Sequence, residues 1–347
     1  MRSHTPQRYY LITYPRTASN LLIRILDLKN QPNVTTGDDR GGYIFLPVVK
    51  LITDMGLRKK KVESWTATET TRVKNAYQDC FDEFQATIGA ASAADCSVYI
   101  KEHVHFLVDP ASLSGHVFGE TDDIPADRES WKLQIPQPYE EAESPSHCIN
   151  PTLFPDEFLL TWKPTFLIRH PALAFPSLYR ALLELEGRDD DDDELKVLGQ
   201  HCMTLRWTRM LYIWYKQTSK MQHPWPYEQD NVEWPVVLDA DDVINSPALV
   251  QEYAEMLGLD PTKLAFSWTP ATKAELSQMD TATKRYLDTL LGSGKIMKDK
   301  TSDNVDISTQ VEKWTAEFGK AAAMRIEQLV REAMPDYEML GANRLRL

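Results

Sequence analysis

The sequence contains no Walker A motif: G-x-x-x-x-G-K-[ST] occurs nowhere in its 347 residues. A phosphate held by this chain is therefore not expected to be the group it transfers. Cysteine is sparse. Cys80, Cys96, Cys148 and Cys202 stand apart with no C-x-x-C pair, as expected of scattered reduced thiols, and no metal-ligand spacing appears. Basic charge is also short. Lys and Arg number 38 against 51 Asp and Glu, and the net charge of −13 argues against a nucleic-acid-binding surface. An anionic ligand needs a local basic pocket on this acidic background. No apolar run reaches the roughly 18 residues that a transmembrane helix needs. No signal-peptide pattern precedes the first apolar segment near Tyr9, and no internal repeat is present. The expectation is a soluble cytoplasmic protein with no membrane partner. Its 42% hydrophobic content is ample for one large domain or two small ones.

What is present is concentrated in a few segments. Residues 9–26 read as an apolar strand, a tight turn and an apolar-faced helix. The turn carries Arg16, Thr17, Ala18, Ser19 and Asn20. It sets a cation, hydroxyls and free backbone N–H groups at a helix N-terminus, which favours anions. A polar loop is expected over 30–42, and a helix over 66–90 with Val73, Tyr77, Phe81, Phe84 and Ile88 in one stripe. Residues 97–107 are β-branched and aromatic and read as a second buried strand. Residues 109–156 read as a long polar insertion, the kind of segment that is usually functional or disordered. A third strand, 164–169, leads through His170-Pro171 into a helix over 174–186. A helix over 201–216, a strand over 234–239, a helix over 247–257 closed by Gly258 and a final helix over 314–333 follow. Strands that are apolar throughout and alternate with helices imply a parallel sheet covered on both faces.

Two strand ends carry further chemistry. Arg169 ends one strand, and Ser177 follows eight residues later near a helix start. Ligands of open α/β sheets bind at the carboxyl ends of strands, and a guanidinium fork suits phosphate. A structural ion pair is the competing reading of Arg169. Lys101-Glu102-His103 ends another strand, where His103 is placed to act as a general base. A structural histidine is the more common case, and His105 competes for the same role.

Together these segments resemble the PAPS-dependent sulfotransferases, closest to the Pro-Arg-[Ser/Thr]-x-Ser type of bacterial and fungal members. The family's 5′-phosphosulfate loop reads roughly T-Y-P-K-S-G-T, against Thr13-Tyr14-Pro15-Arg16-Thr17-Ala18-Ser19. Its 3′-phosphate motif pairs a strand-end Arg with a Ser eight residues on, as Arg169 and Ser177 stand. Its K-x-H strand end matches Lys101 and His103. Val237 to Asp242, Leu257-Gly-Leu259, Gly292-Ser-Gly-Lys295, Val311-Glu-Lys-Trp314 and Phe318 resemble later family segments in the same order. The resemblance implies one three-layer P-loop-type α/β domain over residues 1–347. Its sheet would be mostly parallel with helices on both faces, and 109–156 would form a substrate lid or loop. It implies PAPS as donor, PAP as product and no metal. The donor would be held by Arg16, Thr17, Ala18, Ser19, Asn20, Arg169, Ser177 and Lys295. His103 would deprotonate a hydroxyl of a small, largely apolar acceptor. Arg16 would stabilise the leaving phosphate and Lys101 would assist.

Arg16 stands where the family usually has Lys, and it keeps the charge but cannot give up a proton. Ala18 stands where the family keeps Gly. A positive φ there would cost about 1 kcal/mol, and a helical φ nothing. These departures leave open a repurposed enzyme or binding protein on the same fold, and a P-loop small-molecule kinase is a further alternative. The acidic run 189–194 reads as a solvated loop rather than a magnesium-diphosphate site. Arg58-Lys-Lys-Lys61 reads as a surface face. Trp207, Tyr212, Trp214 and Tyr215 read as core, with the lining of an apolar acceptor pocket as the alternative. Lys298 and Lys300 are alternatives to Lys295 for the 3′-phosphate, with simple exposure as the competing reading of all three.

Overall fold

Four apolar segments build most of the sheet because almost every residue in them is buried. In the computed structural model they are β1 (Arg8–Thr13), β3 (Ser97–His103), β4 (Lys163–Ile168) and β5 (Val236–Asp239). A fifth strand, β2 (Val34–Thr35), lies within the segment expected to be a loop. The order is β2-β3-β1-β4-β5 in one parallel sheet with helices around it. Burial along whole strands is what a covered parallel sheet requires. The structure describes residues 6–36, 42–119, 126–136, 139, 148–186, 193–221, 232–303 and 305–347.

The chain divides into two compact units. The first comprises residues 1–14, 33–166 and 200–236, and the second 15–32, 167–199 and 237–347.

In the first unit, β1 and β3 pair in register from Arg8↔Val98 to Thr13↔His103. The helix Ala67–Ala93 begins at a capping box, in which Thr66 and Glu69 each bond the other's backbone N–H. Its stripe of Val73, Tyr77, Phe81, Phe84 and Ile88 is buried, as the spacing predicts. Phe81 meets Phe158 edge-on at 5.1 Å, and Phe84 stacks on Trp162 at 5.4 Å. Trp207, Tyr212, Trp214 and Tyr215 are likewise core.

Three boundaries, one of them spanning both units, differ from the sequence reading. The strand expected over 97–107 stops at His103, and Val104–Leu107 is a helical turn. From Val104 the backbone turns helical, and the Glu102 side chain accepts from the His103 N–H at that point. The helix expected over 201–216 is two helices, Asp193–Cys202 and Arg206–Met221, with Thr204 Oγ1 accepting from the Arg206 N–H at the break. The insertion begins as a helix, Pro110–Phe118, because Asp109 caps it by accepting from Ser112 N at 2.8 Å. Of the acidic run, residues 189–192 lie outside the described residues.

In the second unit the helix Pro171–Glu186 packs against Lys320–Ala342, with Tyr179 against Phe318 at 5.1 Å. The single helix expected over 314–333 is two, Ile307–Phe318 and Lys320–Ala342, separated by Gly319 at φ 85°. The helix Pro247–Met256 ends with Gly258 at φ 70°, as expected. Three aspartates at and just after the end of β5 anchor the C-terminal segments. Tyr337 Oη donates to Asp239 at 2.8 Å, Ser302 N to Asp241 at 2.9 Å and Arg344 Nε to Asp242 at 2.8 Å.

Candidate active site

The second unit gathers three of the expected anion-binding residues. Arg16 Nε donates to Ser177 Oγ at 3.0 Å, and Arg169 Nη1 donates to the Arg16 carbonyl at 2.9 Å. The cluster forms because Arg169 ends β4, Ser177 lies in the helix that follows, and Arg16 sits in the turn before the helix Ser19–Leu26. Arg16 also donates to the Tyr286 carbonyl at 2.8 Å and lies 3.8 Å from Asp288. Burial lowers its pKa, as do Arg285 and Arg169, while Asp288 opposes them.

The turn itself is strained. Arg16 has φ 68° and Ala18 φ 63°, both left-handed. Ala18 therefore carries the cost of about 1 kcal/mol that a glycine would not. Ala18 precedes the helix and offers it no side-chain cap. Its carbonyl accepts from Leu22 N at 3.1 Å. Neither an N-cap side chain nor an acid in the first turn answers the helix N-terminus, which suits an external anion. Thr17 and Ser19 are buried within this turn, and Asn20 is half-buried. Lys295 is exposed and bridges Ser267 through the backbone, and among the described residues it makes no hydrogen bond or ion pair with the Arg16 cluster. Instead the Lys300 carbonyl reaches the cluster, accepting from Arg169 Nη2 at 2.9 Å.

The first unit organises His103. Thr13 Oγ1 lies 2.7 Å from Nδ1 and donates to the Glu102 carbonyl at 3.3 Å; Tyr43 Oη lies 3.3 Å from Nε2. Thr13 has one hydroxyl proton. All three bonds form only if Nδ1–H donates to Thr13, which leaves the Nε2 lone pair toward Tyr43. Burial, with help from His105 and Lys101, holds the imidazole pKa well below 6.5. The ring is therefore neutral near pH 7.

Tyr43, Thr13 and Glu102 were not singled out in the sequence. Gly42 bridges Lys101, and a Cβ on Gly42 would lie 1.7 Å from the Lys101 carbonyl oxygen, so only glycine fits. Tyr43 N then donates to that same oxygen at 3.0 Å. Glu102 points to the opposite face of β3 from its neighbours, and its buried carboxylate accepts from the backbone N–H groups of His103, Phe45 and Ile44. Phe45 precedes the helix Leu46–Asp54, so Glu102 supplies the cap which Phe45 lacks. Lys101, buried at 1% exposure, lays its ammonium 4.3 Å from the Tyr43 ring centroid. The readable signal was an acid inside an apolar strand.

In the same unit a cavity of about 60 Å³ is walled by Arg58, Lys60, Trp65, Tyr77, His105, Phe106 and His201 among others; His103 does not line it and adjoins it through the rings of His105 and Phe106. Phe106 meets His103 at 5.7 Å and His105 at 4.4 Å. Burial, Arg58 and other histidines push His105 and His201 down to about 3.

A sulfotransferase of Metarhizium rileyi, ppzF, is 42% identical over 344 residues, spanning 98% of this chain and 97% of its own length. The chain belongs to the sulfotransferase family. The Metarhizium majus ppzF sulfotransferase is 41% identical over 346 residues, with the same coverage. No family model matches. Two solved sulfotransferase domains align loosely. That of the curacin biosynthetic pathway has a TM-score of 0.38 and 13% identity, covering 91% of this chain and 98% of its own. That of the Synechococcus PCC 7002 olefin synthase has 0.33 and 12%, covering 93% and 97%. In this sulfotransferase, then, the Arg16, Arg169 and Ser177 cluster belongs to the second unit, and Lys101 and His103 to the first.

Proposed function

We propose that this sulfotransferase moves a sulfuryl group from PAPS to a hydroxyl of a small, largely apolar organic acceptor. The observation that carries the reading is the convergence of Arg16, Arg169 and Ser177 beside a helix N-terminus with no cap of its own. PAPS presents two anionic ends, and these residues fit both. The 16–20 turn would hold the 5′-phosphosulfate, while Arg169 and Ser177 would hold the 3′-phosphate. Lys295 is part of the same proposal as a flanking cation. When bound, PAPS supplies a sulfuryl group on a phosphate leaving group.

The chain's own residues would do the following. His103 Nε2 would take the proton from the acceptor hydroxyl as its oxygen bonds to sulfur and the sulfur–phosphate oxygen bond breaks. Arg16 would offset the charge that grows on the departing phosphate; a guanidinium does this without giving a proton. Thr13 would hold Nδ1–H so that Nε2 remains the basic nitrogen. Lys101 would fix Tyr43 and assist from the same strand end. Catalysis in a loose sulfuryl transfer rests on such positioning and charge. We assign the acceptor to the cavity beside His103. Four residues of the 109–156 insertion, Pro110, Leu113, Ser114 and Phe118, line it, which supports a substrate-covering role for that segment.

Calorimetry with PAP, followed by transfer assays on hydroxyl acceptors, tests the reading. PAP should bind the wild type, and Arg169→Ala should weaken it about tenfold or more, the scale of one charged hydrogen bond. His103→Ala should leave PAP affinity intact and abolish transfer. PAP failing to bind sinks the donor assignment. Transfer surviving His103→Ala removes the base and favours a repurposed chemistry on this fold.

A further inference from the structure

The sequence reads Arg58-Lys-Lys-Lys61 as one solvated face, but Arg58 departs from its neighbours. Lys59, Lys60 and Lys61 are exposed, whereas Arg58 is half-buried; Arg58 and Lys60 both line the cavity. Arg58 Nε donates to Thr53 Oγ1 at 2.8 Å and its Nη2 to the Val49 carbonyl at 3.4 Å. Those bonds occupy two of its five N–H groups. Among the described residues, no carboxylate pairs with it. Lys60 is instead neutralised by Glu69 at 3.1 Å.

Apart from Arg58 and the Glu69-paired Lys60, the wall is apolar or neutral. His105 and His201 carry no charge near pH 7, and the Arg58 charge contributes to that. The same charge pulls down the pKa values of Tyr77 and Cys202 against their burial. Arg58 is thus the leading charge acting on His105 and His201, whereas Asp109 outweighs it at Tyr77. The nearby acids already have donors: Asp109 accepts from Ser112 N and Oγ, and Glu102 from backbone N–H groups. His105 Nδ1 is buried without a hydrogen-bond partner among the described residues, a costly state for a polar atom.

We propose that Arg58 is a specificity determinant that reads a carboxylate on the acceptor, at the end remote from the hydroxyl delivered to His103. The inference rests on the acceptor assignment made above. Phe106 lines the cavity and meets both His103 and His105, whose own rings stack at 5.7 Å. A hydroxylated aromatic or alkyl acid would lay its apolar body along Phe106. Its carboxylate would take the remaining Arg58 N–H groups and would raise the proton affinity of His105 and His201, turning them into donors.

The test pairs para-hydroxyphenylacetate and para-hydroxyphenylpropanoate with their methyl esters as acceptors, with PAPS as donor. The acids should exceed the esters in kcat/KM by about tenfold or more, the scale of one charged hydrogen-bond pair. Arg58→Met should cost the acids about tenfold more than the esters, and Arg58→Lys should recover part of the preference. PAP affinity measured on each variant reports that it is folded. Independently of the donor, phenylpropanoate should shift the ring signals of His105 and His201 in NMR titration of the wild type and should fail to do so in Arg58→Met. Esters matching acids, equal losses for both in Arg58→Met, or no phenylpropanoate shift overturns the inference. PAP failing to bind while phenylpropanoate still shifts both histidines would instead sink the donor assignment alone.

Discussion

Single residues decide whether the anion turn is relaxed or strained. The sequence left two options for Ala18, and the left-handed φ of 63° selects the costly one. Ala18→Gly should raise the unfolding midpoint by about 2 °C, the scale of about 1 kcal/mol in a chain of this size. An unchanged or lower midpoint in thermal scans would show that the turn does not carry that strain. Glu102 gives a pH signature. Burial pushes its carboxyl from 4.5 to about 8, against the pull of three backbone N–H groups and Lys101. The folded chain thus binds this proton more tightly than the unfolded chain. Its stabilising contribution is complete below about pH 4.5 and is lost as pH rises through 8. Glu102→Gln should therefore lose less stability than the wild type between pH 5 and 8, read as midpoints across that range. Parallel curves would refute the assignment. Arg16, Arg169 and His103 were nominated from residue type, from their places in a turn or at strand ends, and from the resemblance to the family. Thr13, Tyr43 and Glu102 were not, because each acts through a contact that spacing along the chain does not reveal.

Elements were legible where one period governs them. The buried stripe on Ala67–Ala93 and the all-apolar β1 and β4 follow directly from sequence. Breaks decided by a single backbone event were not. Gly319 splits one amphipathic run into two helices, and the Thr204 hydrogen bond splits another. The helix Thr281–Gly292 is the element with the greatest consequence for the anion turn. Its Tyr286 carbonyl and Asp288 carboxylate both engage Arg16, and Arg285 Nη1 holds Asp288 at 2.9 Å. A phosphate in the turn must share the guanidinium with Asp288. Asp288 is half-exposed, so solvent screens this competition. Asp288→Asn should tighten PAP binding a few-fold in calorimetry. Weaker binding would mean that Asp288 positions Arg16 instead of competing for it.

At the scale of the molecule, the proposed chemistry separates along the two units of the chain. The donor residues fall in 15–32, 167–199 and 237–347, and His103, Tyr43, Arg58 and the cavity in 1–14, 33–166 and 200–236. The sequence motifs, read in chain order, gave no hint of this because each unit is assembled from three separate stretches. A ligand stabilises the structure it binds, and amide hydrogen exchange reports where that stabilisation falls. PAP should slow exchange at residues 17–22 and 169–172, where the uncapped helix N-terminus and the Arg169 strand end lie. It should leave the helix Leu46–Asp54 and the turn Val104–Leu107 at their original rates. Phenylpropanoate should do the reverse, slowing 46–58 and 104–107. The net charge of −13 makes the contrast informative, because a non-specific anion effect has no reason to favour either segment. Protection by PAP confined to the first unit would overturn the donor assignment. Identical protection maps for the two anions would overturn the division of labour between the units.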